Sequence, residues 1–186
     1  MRNCCLCILL LGFSFTIVLG QEKTPVNFGN VTAKDFSLPA NPVISNAGAV
    51  VIADKGSTVF KGNGKGGLSP VFKQQVRIQI INKSAFDLAT VKLSLYHRGE
   101  DEEKLTEMNA VTYNLENGKV VESKLRKEDV FSNRQNRYKE EKKFTLPAVK
   151  EGSIIEYSYS ISSDFIAYLH DWEFQQARYP LFVERI

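Results

Sequence analysis

The chain has 186 residues, with 24 basic against 21 acidic side chains and a formal net charge of +3. That length suffices for one core of ordinary size. The charges are interleaved, as in Arg126-Lys127-Glu128-Asp129 and Lys139-Glu140-Glu141-Lys142-Lys143, which excludes the one-signed patch of a nucleic-acid binder.

Residues 1–20 have the form of a secretory leader. Arg2 supplies the positive end, Leu6 to Leu19 is an apolar run without charge, and Val18-Leu19-Gly20 offers a cleavage site before the polar Gln21-Glu22. The run is shorter than the ~20 residues a bilayer span requires, so a retained anchor is disfavoured and no stable membrane span is expected after cleavage. The mature chain is then exported, to the periplasm or the cell exterior. Cys4, Cys5 and Cys7 all lie in this leader. The mature chain therefore has no disulfide, thiolate ligand or cysteine nucleophile.

Residues 21–47, rich in Pro, Asn, Ser and Thr, read as an extended lead-in with one short helix near Ala33 to Phe36. Residues 48–186 read as one β module. Ala49 to Ala53 is a short strand, Asp54-Lys55-Gly56 a turn, and Ser57 to Lys61 a strand pairing back. In Val71 to Ile81, Phe72, Val76, Ile78 and Ile80 share one face, and Lys73, Gln75, Arg77 and Gln79 the other. Strict alternation predicts one face on a core and one in water. Asn82 to Ala89 is a polar connection with Phe86 and Leu88 as plugs, followed by a strand carrying Val91, Leu93 and Leu95.

Asn117-Gly118 between Val111–Leu115 and Lys119–Val121 predicts a type I′ hairpin with Leu115 facing Val120. Lys127 to Phe131 suggests one helical turn, and Arg134 to Lys143 a long exposed strand or a loop. Lys142 to Leu146 begins a strand that Pro147 stops. In Ser153 to Ile161, Ile155, Tyr157, Tyr159 and Ile161 alternate with Glu156, Ser158 and Ser160, and Tyr168 to Ala177 is the last predicted strand. About eight or nine strands with almost no amphipathic helix predict an all-β fold, an antiparallel β-sandwich or a strongly bent sheet. The chain stops after the apolar Leu181-Phe182-Val183, so the module is expected to be incomplete at its C-terminal end.

Catalytic chemistry finds little support. Gly62-x-Gly64-x-x-Gly67 has dinucleotide-fingerprint spacing, but a strand follows where phosphate binding needs a helix N-terminus, so a hairpin loop is the reading. His97, followed by Glu100 to Glu103, falls short of a zinc ligand set. His170-Asp171 would need a serine nucleophile, and no serine sits in a Gly-x-Ser-x-Gly elbow. Glu156, Asp164 and Glu173 offer carboxylate pairs, as any acidic-rich chain does. No catalytic residue, metal ligand or cofactor is assigned. Tyr157, Tyr159 and Trp172 form a weak candidate binding surface, weighed against the commoner role of aromatics in a sandwich core.

Three motifs carry a family resemblance. They are Val111-Thr112-Tyr113-Asn114-Leu115-Glu116-Asn117-Gly118-Lys119-Val120-Val121, the segment Phe144-Thr145-Leu146-Pro147 through Gly152-Ser153-Ile154-Ile155-Glu156-Tyr157-Ser158-Tyr159, and Trp172-Glu173-Phe174-Gln175 with Pro180. With Ala49-Val50-Val51 and Arg77-Ile78-Gln79-Ile80 they resemble, from about Phe28 to Pro180, the domain of unknown function that precedes transglutaminase-like domains in exported proteins of Gram-negative bacteria. The resemblance implies an all-β, non-catalytic accessory module. Its partner would be a downstream papain-type Cys-His-Asp domain that this chain does not contain, to which it would position or present substrate. Relatives continue beyond the proline, so the chain looks like a truncated copy. The alternative is a free-standing module that binds envelope glycan or peptide.

Overall fold

A computed structural model describes residues 26–38, 46–170, 178–182 and 184–185. The leader with its cysteines, Asp171, Trp172 and Glu173 lie outside the described residues. Nine strands follow in chain order: β1 (Ala49–Gly62), β2 (Leu68–Ile80), β3 (Thr90–Arg98), β4 (Asp101–Glu116), β5 (Lys119–Lys124), β6 (Phe131–Asn136), β7 (Lys139–Thr145), β8 (Ile154–Ser163) and β9 (Glu184–Arg185). Three short segments of 3₁₀ helix, Ala33–Phe36, Lys83–Ala89 and Lys127–Asp129, are the only helical segments among the described residues.

The strands form one open sheet in the order β6-β7-β3-β4-β8-β2-β1-β9, with β5 paired to β4 outside that path. Pairing is antiparallel except where β9 runs parallel to β1. β3 and β4 meet only at His97↔Glu102 and Arg98↔Asp101. With so few rungs, the sheet folds over at that corner. Leu93 and Leu95 of β3 and Phe144 of β7 join one core with Phe72, Val76, Ile78 and Ile80 of β2 and Ile155, Tyr159 and Ile161 of β8. The fold is therefore all-β, a single antiparallel sheet bent so that its two leaves pack face to face. Each large apolar side chain so buried contributes roughly 1.5–3 kcal/mol.

Local chemistry explains several elements. Asn117 and Gly118 adopt φ of 50° and 76°, and Leu115 pairs with Val120 across the β4–β5 hairpin. Asn82 accepts a hydrogen bond from Ser84 N–H at the start of the Lys83–Ala89 turn, where Phe86 and Leu88 pack on the core. Residues 63–67 form the loop between β1 and β2, with the Asn63 side chain accepting from Lys65 and Gly67 N–H.

Other elements differ from the sequence reading. Asp54-Lys55-Gly56 is not a turn: β1 runs through it, paired in full with β2, with a register shift between Val51 and Ala53. The partner strand overrides the local turn signal, because every rung from Asp54↔Val76 to Gly62↔Leu68 is made. Asp101 to Asn109, which the sequence reading did not assign, is the first half of β4, paired with β8 from Glu103 onward. Arg134 to Lys143 falls in a hairpin of two strands, β6 and β7. Tyr168 to His170 is not strand; Tyr168 N–H donates to Phe165 O in a turn, and residues 171–177 lie outside the described residues. Arg77 and Gln79, expected in water, are buried under the lead-in.

Candidate functional site

The face of the sheet turned away from the core is the most polar buried surface in the described fold. Arg77 on β2 and Glu156 on β8 are direct cross-strand partners. The Arg77 Nε donates to Glu156 Oε2 at 2.7 Å and Nη2 lies 2.6 Å from the same oxygen, with both side chains at most 7% exposed. The lead-in covers them. Arg77 Nη2 donates to Asn27 O at 2.7 Å, Gly29 N–H donates to Glu156 Oε1, Lys55 Nζ donates to Val26 O at 3.1 Å, and Gln79 Nε2 donates to Phe36 O at 3.0 Å. The Phe28 ring sits 5.0 Å from Lys55 Nζ and 5.6 Å from the Arg77 guanidinium carbon. Val31 and Phe36 close the strap against Val111, Tyr113 and Ile154. Four side chains of the sheet thus hold the strap by its backbone.

Beyond the strap the same face is partly exposed, with Ser158 and Ser162 half-buried and Ser160 between them buried. Ser158, Ser160 and Ser162 follow Glu156 at alternate positions of β8, so they form a floor of small hydroxyls. Their neighbours on β2 are Gln75, Lys73 and Val71, and on β4 Asn109, Glu107 and Lys104. Long side chains on both flanks of a small-residue strand make a trough. A cavity of about 120 Å³ lies at its strap end, bounded by Phe28, Gly29, Gln75, Asn109 and Ser158. One of about 420 Å³ lies at its far end, bounded by Ser69, Val71, Lys104, Thr106, Ser162 and Asp164. Between them the Ser160 hydroxyl donates to Glu107 Oε2 at 3.0 Å. The far end is closed by Lys65, whose Nζ reaches Asp101 Oδ1 at 3.2 Å, Asp164 Oδ2 at 3.1 Å and Glu100 O at 3.0 Å. The bond from Lys65 holds the Asp164 carboxyl below the usual carboxylate range against the opposing effect of burial.

The residues singled out from sequence are scattered by the fold. Tyr159 is buried and Tyr157 packs against the same core, so both point away from the open face. The Tyr159 hydroxyl donates to Gln74 Oε1, and Gln74 Nε2 donates to Asp54 Oδ1 at 2.9 Å. Burial, aided by the Asp54 charge, pushes the Tyr159 hydroxyl up to about 12 and the Tyr157 hydroxyl higher still. They form no platform, and Trp172 lies outside the described residues. Glu156 is engaged by Arg77 and Asp164 by Lys65, so neither faces the other as an acid–base pair. His170 Nε2 lies 3.3 Å from Glu103 Oε1, too poorly aligned for a hydrogen bond, and its ring stacks on Phe72 at 5.0 Å. Among the described residues no group of three or more His, Cys, Asp or Glu is placed to hold a metal ion. The strap and the serine floor were missed from sequence. The Ser-x-Ser-x-Ser spacing of residues 158–162 was the available signal for the floor.

The fold defines an all-β, two-leaved module whose polar side chains hold its own backbone. Residues 69–184 match the family described as "Domain of Unknown Function with solved-structure structure (DUF3857)". The match spans well over half of the chain, and the protein belongs to this family. No curated protein matches it. A crystal structure of a "putative protease" from Parabacteroides distasonis ATCC 8503 is similar at 13% identity and a TM-score of 0.46, over 62% of this chain and 23% of that one. This chain therefore spans less than a quarter of that protein's resolved length. Among the described residues no helix is long and apolar enough to cross a membrane.

Proposed function

We propose that the protein is a non-catalytic accessory module of an exported transglutaminase-like protein, and that it positions or presents substrate to a downstream Cys-His-Asp domain. One observation supports this reading above others. Arg77 and Glu156, paired with each other, and Lys55 and Gln79 beside them all bond to the backbone of residues 26–36. A surface that grips main chain suits an enzyme partner acting on peptide amides. Export follows from the leader pattern of residues 1–20.

The test is addition of the purified chain to a separately expressed transglutaminase-like domain acting on a peptide amide. The expected result is no turnover by the chain alone and a several-fold lower KM when it is added. Turnover by the chain alone that disappears in His170→Ala, or an unchanged KM, refutes the proposal. The second reading, a free-standing envelope peptide- or glycan-binding module, is favoured by the two polar cavities on the open face. It is the outcome if the chain binds such a ligand but leaves the enzyme's KM unchanged.

A further inference from the structure

We infer that the serine-floored trough on β8 is a binding site for an extended peptide, recognised through its backbone. This rests on the proposed function and deepens it by assigning the substrate-presenting surface. Four observations converge. First, the site is continuous with an interface already present: the Asn27–Asn30 turn, with Asn30 N–H donating to Asn27 O, forms one wall of the nearer cavity. Second, that interface is made by side chains bonding to main chain, which reads a peptide without regard to its sequence.

Third, a second carboxylate stands on the same face: Glu156 on β8 accepts the Gly29 N–H, and two rows further, on the neighbouring strand β4, the exposed Glu107 accepts from the Ser160 hydroxyl. Gln75 and Asn109, which border the nearer cavity, make no side-chain hydrogen bond with the described residues, so amide donors and acceptors stand ready for a visiting backbone. Fourth, the dimensions fit. From Gln75 to Ser69 the trough follows six steps along the strand, about 20 Å at ~3.3 Å per step, the span of an extended hexapeptide. Large side chains on β8 would fill this channel. Ser158 and Ser162 leave its two ends open and offer hydroxyls that donate or accept, with the buried Ser160 between them held by Glu107.

A peptide is favoured over a sugar because the occupant of this face beside the nearer cavity is polypeptide main chain, and the Phe28 ring that walls that cavity is already engaged by the Lys55 and Arg77 cations. Tyr157 and Tyr159 point into the core.

The test is a titration of the isotopically labelled chain with the capped hexapeptide acetyl-(Ala-Gly)3-amide, followed by backbone amide shifts. A chito-oligosaccharide of similar length is the control. The expected result is saturable shifts at Ser158, Ser160 and Ser162 with the peptide and none with the sugar. Ser158→Leu, which fills the floor, should weaken binding by about tenfold or more, the equivalent of one good polar contact. Glu107→Ala, at an exposed position, is the second variant should Ser158→Leu perturb folding, and it should weaken binding while a single cooperative unfolding transition is kept. Absence of saturable shifts, shifts insensitive to both variants, tighter binding of the sugar at the same residues, or contacts from residues 21–25 showing the chain's own N-terminal segment in the trough would each overturn the inference. Peptide binding without a change in the enzyme's KM leaves this site standing and removes the presenting role. A lowered KM without peptide binding here does the reverse.

Discussion

Arg77 and Glu156 are cross-strand neighbours on β2 and β8 that form an ion pair at 2.6 Å beneath the lead-in, with side chains 3% and 7% exposed. The pair sits where the alternation of β2 points to water, and the fold makes it the anchor of the strap. Its oxygens and nitrogens are further engaged by Gly29 N–H and Asn27 O, which offsets the desolvation a buried pair suffers.

Removing one partner should therefore be costly. Arg77→Met leaves Glu156 buried without its cation and is expected to destabilise the chain by about 3–5 kcal/mol. The double change Arg77→Met with Glu156→Leu should recover a large part of that loss, because no charge is left uncompensated. Chemical denaturation of Arg77→Met, Glu156→Leu and the double variant checks this. A double variant as unstable as the sum of its parts would show that the pair matters through the strap and not through its charges. Limited proteolysis in residues 26–36 should rise in the single variant.

Glu103 predicts an acid limb. Burial raises its pKa, but the nearby His170, the Tyr96 N–H and Ser163 more than offset that, and its carboxyl lies below the ordinary 4.5. A carboxylate with a depressed folded pKa stabilises the fold fully above its unfolded value and loses that contribution as pH falls through the folded one. Stability should therefore decline on acidification below about 4.5, and Glu103→Gln should flatten that decline while lowering stability at neutral pH. Melting temperature against pH for both proteins measures it.

An alkaline limb follows from the buried tyrosines. Burial pushes the hydroxyls of Tyr159 and Tyr113 up to about 12 from the ordinary 10.0, the latter helped by the Glu156 charge. With the folded pKa raised, the stabilising effect is complete below pH 10 and is lost as pH rises toward 12. Tyrosinate absorbance should lag in the folded chain and appear together with unfolding. Tyr159→Phe, which forfeits the bond to Gln74, should cost about 1 kcal/mol at neutral pH and reduce the alkaline slope. A normal titration of every tyrosine in the folded chain would contradict the buried assignment.

Ala148 holds φ at +55°, a region that disfavours any side chain with a Cβ, and Asn114 Nδ2 donates to its carbonyl at 3.0 Å. Ala148→Gly should relieve about 1–2 kcal/mol of strain against about 0.5–1 kcal/mol of added chain entropy. A net gain of up to about 1 kcal/mol is expected in the urea midpoint. A loss would mean that the loop relaxes away from this conformation in solution.

The amino-acid sequence by itself determined what short-range chemistry controls. The β4–β5 hairpin is written in Asn117-Gly118, whose positive φ suits a type I′ turn. The inward row of β8 is written in the alternation of Ile155, Tyr157, Tyr159 and Ile161, and the stop after β7 in Pro147. The all-β class and the family follow from many such local signals agreeing. Only the tertiary structure decided which polar face was wet. A period of two shows that Arg77, Gln79 and Glu156 share a side of the sheet, but burial there depends on residues 26–36 returning from more than 40 positions away along the chain to lie across them. It also carried β1 straight through Asp54-Lys55-Gly56, because a full ladder with β2 outweighs a local preference to turn. It turned Tyr157 and Tyr159 inward and left Ser158 and Ser162 of β8 partly exposed on the other face, since the strand's alternation separates the two sets and the second leaf packs against only one of them.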